Sequence, residues 1–177
     1  VSGVLVAGVG NIFLGDDGFG VEVARRLADM PLPAGVTVAD YGISGMHLAY
    51  DLAGGYDTTI LVDALPRGGE PGAVYVLEPD ASEDTAAPAA DEATAAAMPF
   101  LDAHGMQPDV VFRMLDVLGA RAGRVLIVGC EPASTEEGIG LSPPVATAVD
   151  EAVRVVTGLV TANFEAPAAP AGPAGKG

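Results

Sequence analysis

The sequence predicts an α/β fold built on a mainly parallel sheet with helices over both faces. Three observations carry this. The strand-type segments are unbroken apolar runs, as strands buried on both faces require. They alternate with stretches of helical periodicity, the order that parallel strands and crossover helices produce. The chain has 177 residues, half of them apolar, which is long enough to bury one continuous core. Only 5% of it is aromatic, so Ala, Val, Leu and Ile must build most of that core.

The elements follow in order. Gly3–Gly8 (GVLVAG) is the first strand-type run. No basic region precedes it, and it meets Asn11 and the Asp16-Asp17 pair too soon for a signal peptide or a membrane span. Gly18–Met30 places Phe19, Val23 and Leu27 at i, i+4 and i+8, one face of a helix. Asp16 or Asp17 is expected to cap its start, and Pro31 and Pro33 to end it. Val36–Asp40 is a short strand, Met46–Leu52 a short helix closed by Gly54-Gly55, and Thr58–Asp63 (TTILVD) a buried strand. The alternation of Ala73–Glu78 suits a strand near an edge, with one wetter face. Asp80 to about Phe100 is rich in Ala, Pro and acids and reads as a surface excursion. Pro108 opens a helix running to about Leu118, Arg124–Gly129 (RVLIVG) is another buried strand, and Pro143 and Pro144 open a last helix over roughly Val145–Val156. Residues 1–161 are expected to form a single domain. From Ala162 to Gly177 the composition collapses to Ala, Pro and Gly, the signature of a disordered tail.

Charge and composition exclude several functions. With 24 acidic and 8 basic residues the formal charge is −16. Neither nucleic acid nor an anionic membrane suits such a surface. One Cys permits no internal disulfide and no Cys-rich zinc site, so a cytoplasmic location is expected. The Gly8-x-Gly10 pair invites a dinucleotide reading, but Phe13 stands where the third glycine would be. Asp16 and Asp17 would repel a pyrophosphate, and no Lys follows to make a P-loop. No serine lies in a G-x-S-x-G motif, and H-E-x-x-H is absent.

In parallel sheets chemistry collects at the carboxyl ends of the strands. Asp17 in the loop after the first strand, Asp40 after the second and Asp63 after the third all lie there. Carboxylates converging in one crevice repel one another unless a proton or metal ion sits between them. With two histidines in the chain, any metal site must borrow carboxylates. His104, in Asp102-Ala103-His104-Gly105-Met106-Gln107-Pro108, precedes a flexible glycine and can swing toward the crevice. Singly, each residue has an ordinary reading: Asp17 as a helix cap, Asp63 as a turn residue, His104 as a loop histidine. Together they make an oxygen, oxygen and nitrogen ligand set compatible with zinc, nickel, manganese or cadmium. His47 reads as solvent-facing and Cys130 as a small core residue.

The run from Val6 to Val21, VAGVGNIFLGDDGFGV, resembles the opening signature of the [NiFe]-hydrogenase maturation endopeptidases. Asp40-Tyr41-Gly42-Ile43-Ser44-Gly45-Met46, Leu61-Val62-Asp63-Ala64, His104-Gly105-Met106 and Gly129-Cys130-Glu131-Pro132, continuing to Gly138-Ile139-Gly140-Leu141-Ser142, match further blocks in the same order. The resemblance implies a three-layer α/β/α sandwich with a twisted, mainly parallel sheet of about five strands. It also implies an endopeptidase that removes the C-terminal extension of the hydrogenase large-subunit precursor after nickel insertion. Asp17, Asp63 and His104 fall on the family's metal-contacting and catalytic positions. Asp40, Gly42 and Gly45 fall on its substrate-contacting block. The nickel would be presented by the substrate, with other divalent cations able to occupy the site in vitro, and the enzyme would act as a monomer. Two departures stand out: Asp17 replaces the Glu of some relatives, and Tyr41-Gly42-Ile43-Ser44-Gly45 replaces a common Gly-Gly-Thr-x-Gly. The competing functional reading is a nickel-dependent binding or chaperone module that senses the large subunit without cutting it.

Overall fold

The computed structural model describes residues 3–78 and 123–165. Among them, β1 (Val4–Val9), β2 (Val36–Gly42), β3 (Thr58–Ala64), β4 (Val74–Leu77) and β5 (Arg124–Cys130) form one sheet in the order β2-β1-β3-β5-β4. The β1–β2, β1–β3 and β3–β5 pairings are parallel, and β4 runs antiparallel to β5. The mainly parallel α/β architecture is therefore observed, with β4 at an edge as its alternating sequence predicts.

Strand alternation divides the core into two layers. Val4, Val6, Ile60, Val62, Leu126 and Val128 point to one face, where α1 (Phe19–Ala28) and α3 (Pro143–Glu165) cover them with Phe19, Val23, Leu27, Val145, Val149 and Val156. Leu5, Ala7, Leu61, Val125 and Ile127 point the other way and pack with Leu48 and Leu52 of α2 (Gly45–Ala53). The Tyr41 hydroxyl donates to Asp51 Oδ2 at 2.6 Å, tying the end of β2 to α2. Cys130 is fully buried at the end of β5, as its sequence context predicts. Burial, then the negative charges of Asp16, Glu131 and Glu151, push its thiol up to about 11.

Two expectations need correction. Neither Asp16 nor Asp17 caps α1. Both sit in a 3-10 turn, Gly15–Gly18, and Gly18 is the cap residue, without a side-chain hydrogen bond. The last helix also runs to Glu165, well past Val156, so the expected domain end at 161 falls inside it. Ala152, Val156 and Val160 continue the buried stripe at i, i+4 and i+8, and Thr58 Oγ1 donates to Asn163 Oδ1 at 2.7 Å from the start of β3. Tertiary packing extends a helix whose composition alone reads as tail. The Asp80–Phe100 excursion, the Pro108–Leu118 helix, His104 and residues 166–177 lie outside the described residues.

Close approach between α1 and the sheet fixes the geometry of the first loop. A Cβ on Gly20 would collide with the carbonyl oxygens of Val62 and Val9. One on Gly8 would collide with the Gly20 carbonyl and meet Ala24 Cβ. Gly8, half of the pair that suggests a dinucleotide loop, instead joins Gly20 in letting a helix lie directly on the ends of β1 and β3. The same substitution at two glycines should therefore give opposite signs. Gly20→Ala is expected to destabilise the fold by roughly 3 kcal/mol, the upper end for overpacking. Gly158→Ala, in open space on α3, should stabilise it by about 0.5–1 kcal/mol. Denaturant titration of both variants measures the difference.

Candidate active site

At the carboxyl edge, β1 ends at Val9 and the chain turns through Gly10 at φ 136°. The Gly10 N–H donates to the Gly42 carbonyl at 2.9 Å, joining this turn to the end of β2. A Cβ on Gly10 would overlap the Asp17 carbonyl and lie 3.8 Å from Asp63 Oδ1. Gly10 is thus the spacer across which the 3-10 turn and β3 meet.

Asp17 is partly exposed, and its Oδ2 accepts the Asn11 N–H at 2.8 Å. Asp63, one residue before the end of β3, is partly buried and lies opposite Gly129 of β5. Burial, followed by the negative charge of Asp17, raises the Asp63 carboxyl well above the usual range, against a smaller lowering by the Ala64 amide. The two acids picked out in the sequence are therefore brought together, near enough for one to hold the proton on the other.

The other candidates lie around them. Asp40 is exposed at the end of β2; its Oδ1 accepts the Gly42 N–H at 2.9 Å and its Oδ2 lies 3.7 Å from Arg25 Nε. Gly42, at φ 53°, shapes this turn, and Gly45 begins α2 with no exposed surface to speak of. His47 is exposed, as expected. Among the described residues no group of three or more His, Cys, Asp or Glu is arranged to hold a metal ion. Asp17 and Asp63 supply two carboxyl oxygen donors, which fits a divalent cation as far as the described residues go.

Asp16 has a role that sequence reasoning missed. It is 1% exposed, and it accepts the N–H groups of Ala133 at 2.8 Å, Ser134 at 3.1 Å and Ser142 at 2.7 Å, and the Ser142 hydroxyl at 2.8 Å. Burial alone would raise its carboxyl, but the hydrogen bonds from Ser142, Ser134 and Ala133 outweigh it and hold the group below the usual carboxylate value. Asp16 therefore binds the segment after β5 to the first loop. Glu131 was missed as well. It sits just after β5 and accepts the N–H groups of Arg67 at 2.8 Å and Gly68 at 3.1 Å and the Tyr75 hydroxyl at 3.0 Å. The strand-end rule would have flagged it, yet its donors show that it shapes the β3–β4 turn.

With this geometry in place, comparison with known proteins is decisive. The family model HycI, hydrogenase maturation protease, matches residues 21–159. The chain belongs to the hydrogenase maturation protease family. It is 33% identical over 177 aligned residues to the hydrogenase expression/formation protein HupD of Bradyrhizobium diazoefficiens, covering 94% of this chain and 85% of that protein. It is 30% identical over 155 residues to the hydrogenase 2 maturation protease of Escherichia coli, covering 86% and 87%. The solved structure of the hydrogenase maturating endopeptidase HybD from E. coli superposes with a TM-score of 0.68 at 29% identity, over 90% of this chain and 93% of that one. The α/β sheet flanked by helices is the fold of this family.

Two stability measurements test the electrostatics. Asp16→Ala leaves three amides and a hydroxyl without their acceptor, and should cost about 3 kcal/mol, read by denaturant unfolding, with faster amide exchange at Ala133, Ser134 and Ser142. Asp63 has the opposite sign. Its folded carboxyl titrates above the unfolded one, so stability falls as pH rises from the ordinary Asp range through the raised value. In metal-free buffer Asp63→Asn should raise the melting temperature at neutral pH, and the gain should vanish near about pH 3, below the unfolded Asp value.

Proposed function

We propose that this chain is an endopeptidase that removes the C-terminal extension of the [NiFe]-hydrogenase large-subunit precursor once nickel is in place. The observation that carries the reading is the paired Asp17 and Asp63 at the carboxyl edge, where burial and then the Asp17 charge raise the Asp63 carboxyl. Two acids that hold a proton at high cost are suited to exchange it for a cation. The family, whose relatives are named as hydrogenase maturation proteases, supports the reaction class.

The nickel belongs to the substrate. Asp17 and Asp63 offer oxygen donors to it, Asp63 releasing its proton as the cation arrives, and His104 adds a nitrogen. When bound, the metal supplies Lewis-acid polarisation of the scissile carbonyl or of a water. Asp40, Gly42 and Gly45 line the neighbouring turn and contact the substrate tail. Cleavage gated in this way reports nickel insertion, and the enzyme acts as a cytoplasmic monomer. No helix among the described residues is long and apolar enough to cross a membrane.

The test mixes the protein with nickel-loaded and nickel-free precursor and follows C-terminal trimming by mass spectrometry. Only the loaded precursor should be trimmed, and Asp17→Asn, Asp63→Asn and His104→Ala should each bring trimming below detection while the circular dichroism spectrum stays native. Trimming of both precursors would sink the gating. Binding of the loaded precursor without trimming would leave a non-cleaving nickel-dependent binding or chaperone module.

A further inference from the structure

Beside the acid pair, two loops are locked together and yet turn apolar side chains outward. The Gly15 N–H donates to the Gly138 carbonyl at 2.8 Å, and the Gly138 N–H donates to the Phe13 carbonyl at 2.9 Å. Leu14 and Gly138 pair as a parallel bridge, and Asp16 binds the same second loop through Ala133, Ser134 and Ser142. Hydrogen bonding on this scale holds the backbone in one arrangement. On it Phe13 is 61% exposed and Ile139 82% exposed, with Ile12 at 36%. Glu136 and Glu137 precede Ile139 in the second loop, both exposed, and among the described residues neither pairs with a cation. A rigid apolar tip with a carboxylate rim marks an interaction site better than it marks a solvated loop.

We propose that this tip docks the hydrogenase large-subunit precursor through a segment whose apolar side chains are flanked by Lys or Arg. The inference rests on the maturation-protease reading and names the chemistry by which that substrate is held. Position supports it: Phe13 lies four residues before Asp17, whose carboxylate is itself bonded to the Asn11 amide of the same loop. Charge decides between occupants. A second copy of this chain, at a formal −16, would bring like charges against Glu136 and Glu137, whereas a basic segment would meet the rim with the opposite sign. The side chains would fill pockets on the partner while the acids steer and orient it, so affinity should depend on both the apolar tip and ionic strength.

The experiment measures kcat and KM for trimming of nickel-loaded precursor, together with the Kd for that precursor by calorimetry, at low and high salt. Phe13→Ser and Ile139→Ser should each raise KM and Kd about tenfold with kcat unchanged. In the wild type both constants should rise with salt, and in the Glu136→Gln, Glu137→Gln double variant that dependence should flatten. The charge variant serves as an independent check, since it removes no apolar contact and no backbone hydrogen bond. Wild-type KM, Kd and salt dependence in all these variants, with normal trimming, would overturn the docking surface and leave the protease reading intact. Weaker binding by the variants, with no trimming even by the wild type, would uphold the surface and overturn the protease reading.

Discussion

Asp16 accepts four hydrogen bonds from Ala133, Ser134 and Ser142 while almost wholly withdrawn from water, and the functional edge is organised by that carboxylate. Burying a charge is costly unless its lone pairs are filled, and here they are filled by donors from a segment more than a hundred residues away in sequence. Without that acceptor the loops after β1 and β5 would keep only their backbone bonds, from Gly15 and Asp16 to Gly138 and Ser134 and from Gly138 to Phe13. Asp17, its neighbour, owes its place to the same 3-10 turn. Asp63 is the counterexample that makes the rule visible: it has the same side chain and is also withdrawn from water, though less completely, but only one amide, that of Ala64, lowers its pKa. The donors aimed at each carboxylate, together with the Asp17 charge beside Asp63, separate one carboxyl held below its usual range from one raised above it.

The packing of α1 supplies the second constraint. Gly8 and Gly20 bring the helix backbone onto the carbonyl oxygens of β1 and β3, so the turn between Val9 and Phe19 has little freedom in where it goes. Gly10 then sets the separation between that turn and Asp63. Parallel pairing of β1 with β2 and β3 places the ends of all three strands on one edge, which is why Asp17, Asp40 and Asp63 share a neighbourhood despite their separation in sequence.

Much of this was legible beforehand because strand ends in a parallel sheet are informative positions. Unbroken apolar runs located β1, β3 and β5, and the acid following each of the first three strands became a candidate on topological grounds. What could not be read was which way a carboxylate turns. Asp16 and Asp17 are adjacent and chemically identical, and only the fold shows that one faces amides from beyond β5 while the other faces Asn11 and Asp63. Glu131 illustrates the same limit, a strand-end acid whose donors come from the turn after β3. The length of α3 was hidden for another reason: past Val156 its buried stripe is carried by Val160 and an Asn163 bond to Thr58, too sparse for periodicity to detect. His104 falls outside the described residues, and its place rests on the sequence.

Cys130 has a bearing on how the protein can be handled and inhibited. The chain's one thiol is sealed in the core and kept protonated into alkaline solution. Alkylating reagents and peroxide attack cysteine as the thiolate, so at Cys130 the folded protein offers them almost nothing. Soft metal ions lose their strongest sulfur ligand, a thiolate, and are left with the thioethers of exposed Met30 and Met46 beside imidazole and oxygen donors. Inactivation by such an ion consequently does not report thiolate capture, the ambiguity that an accessible cysteine brings to most metal-inhibition experiments.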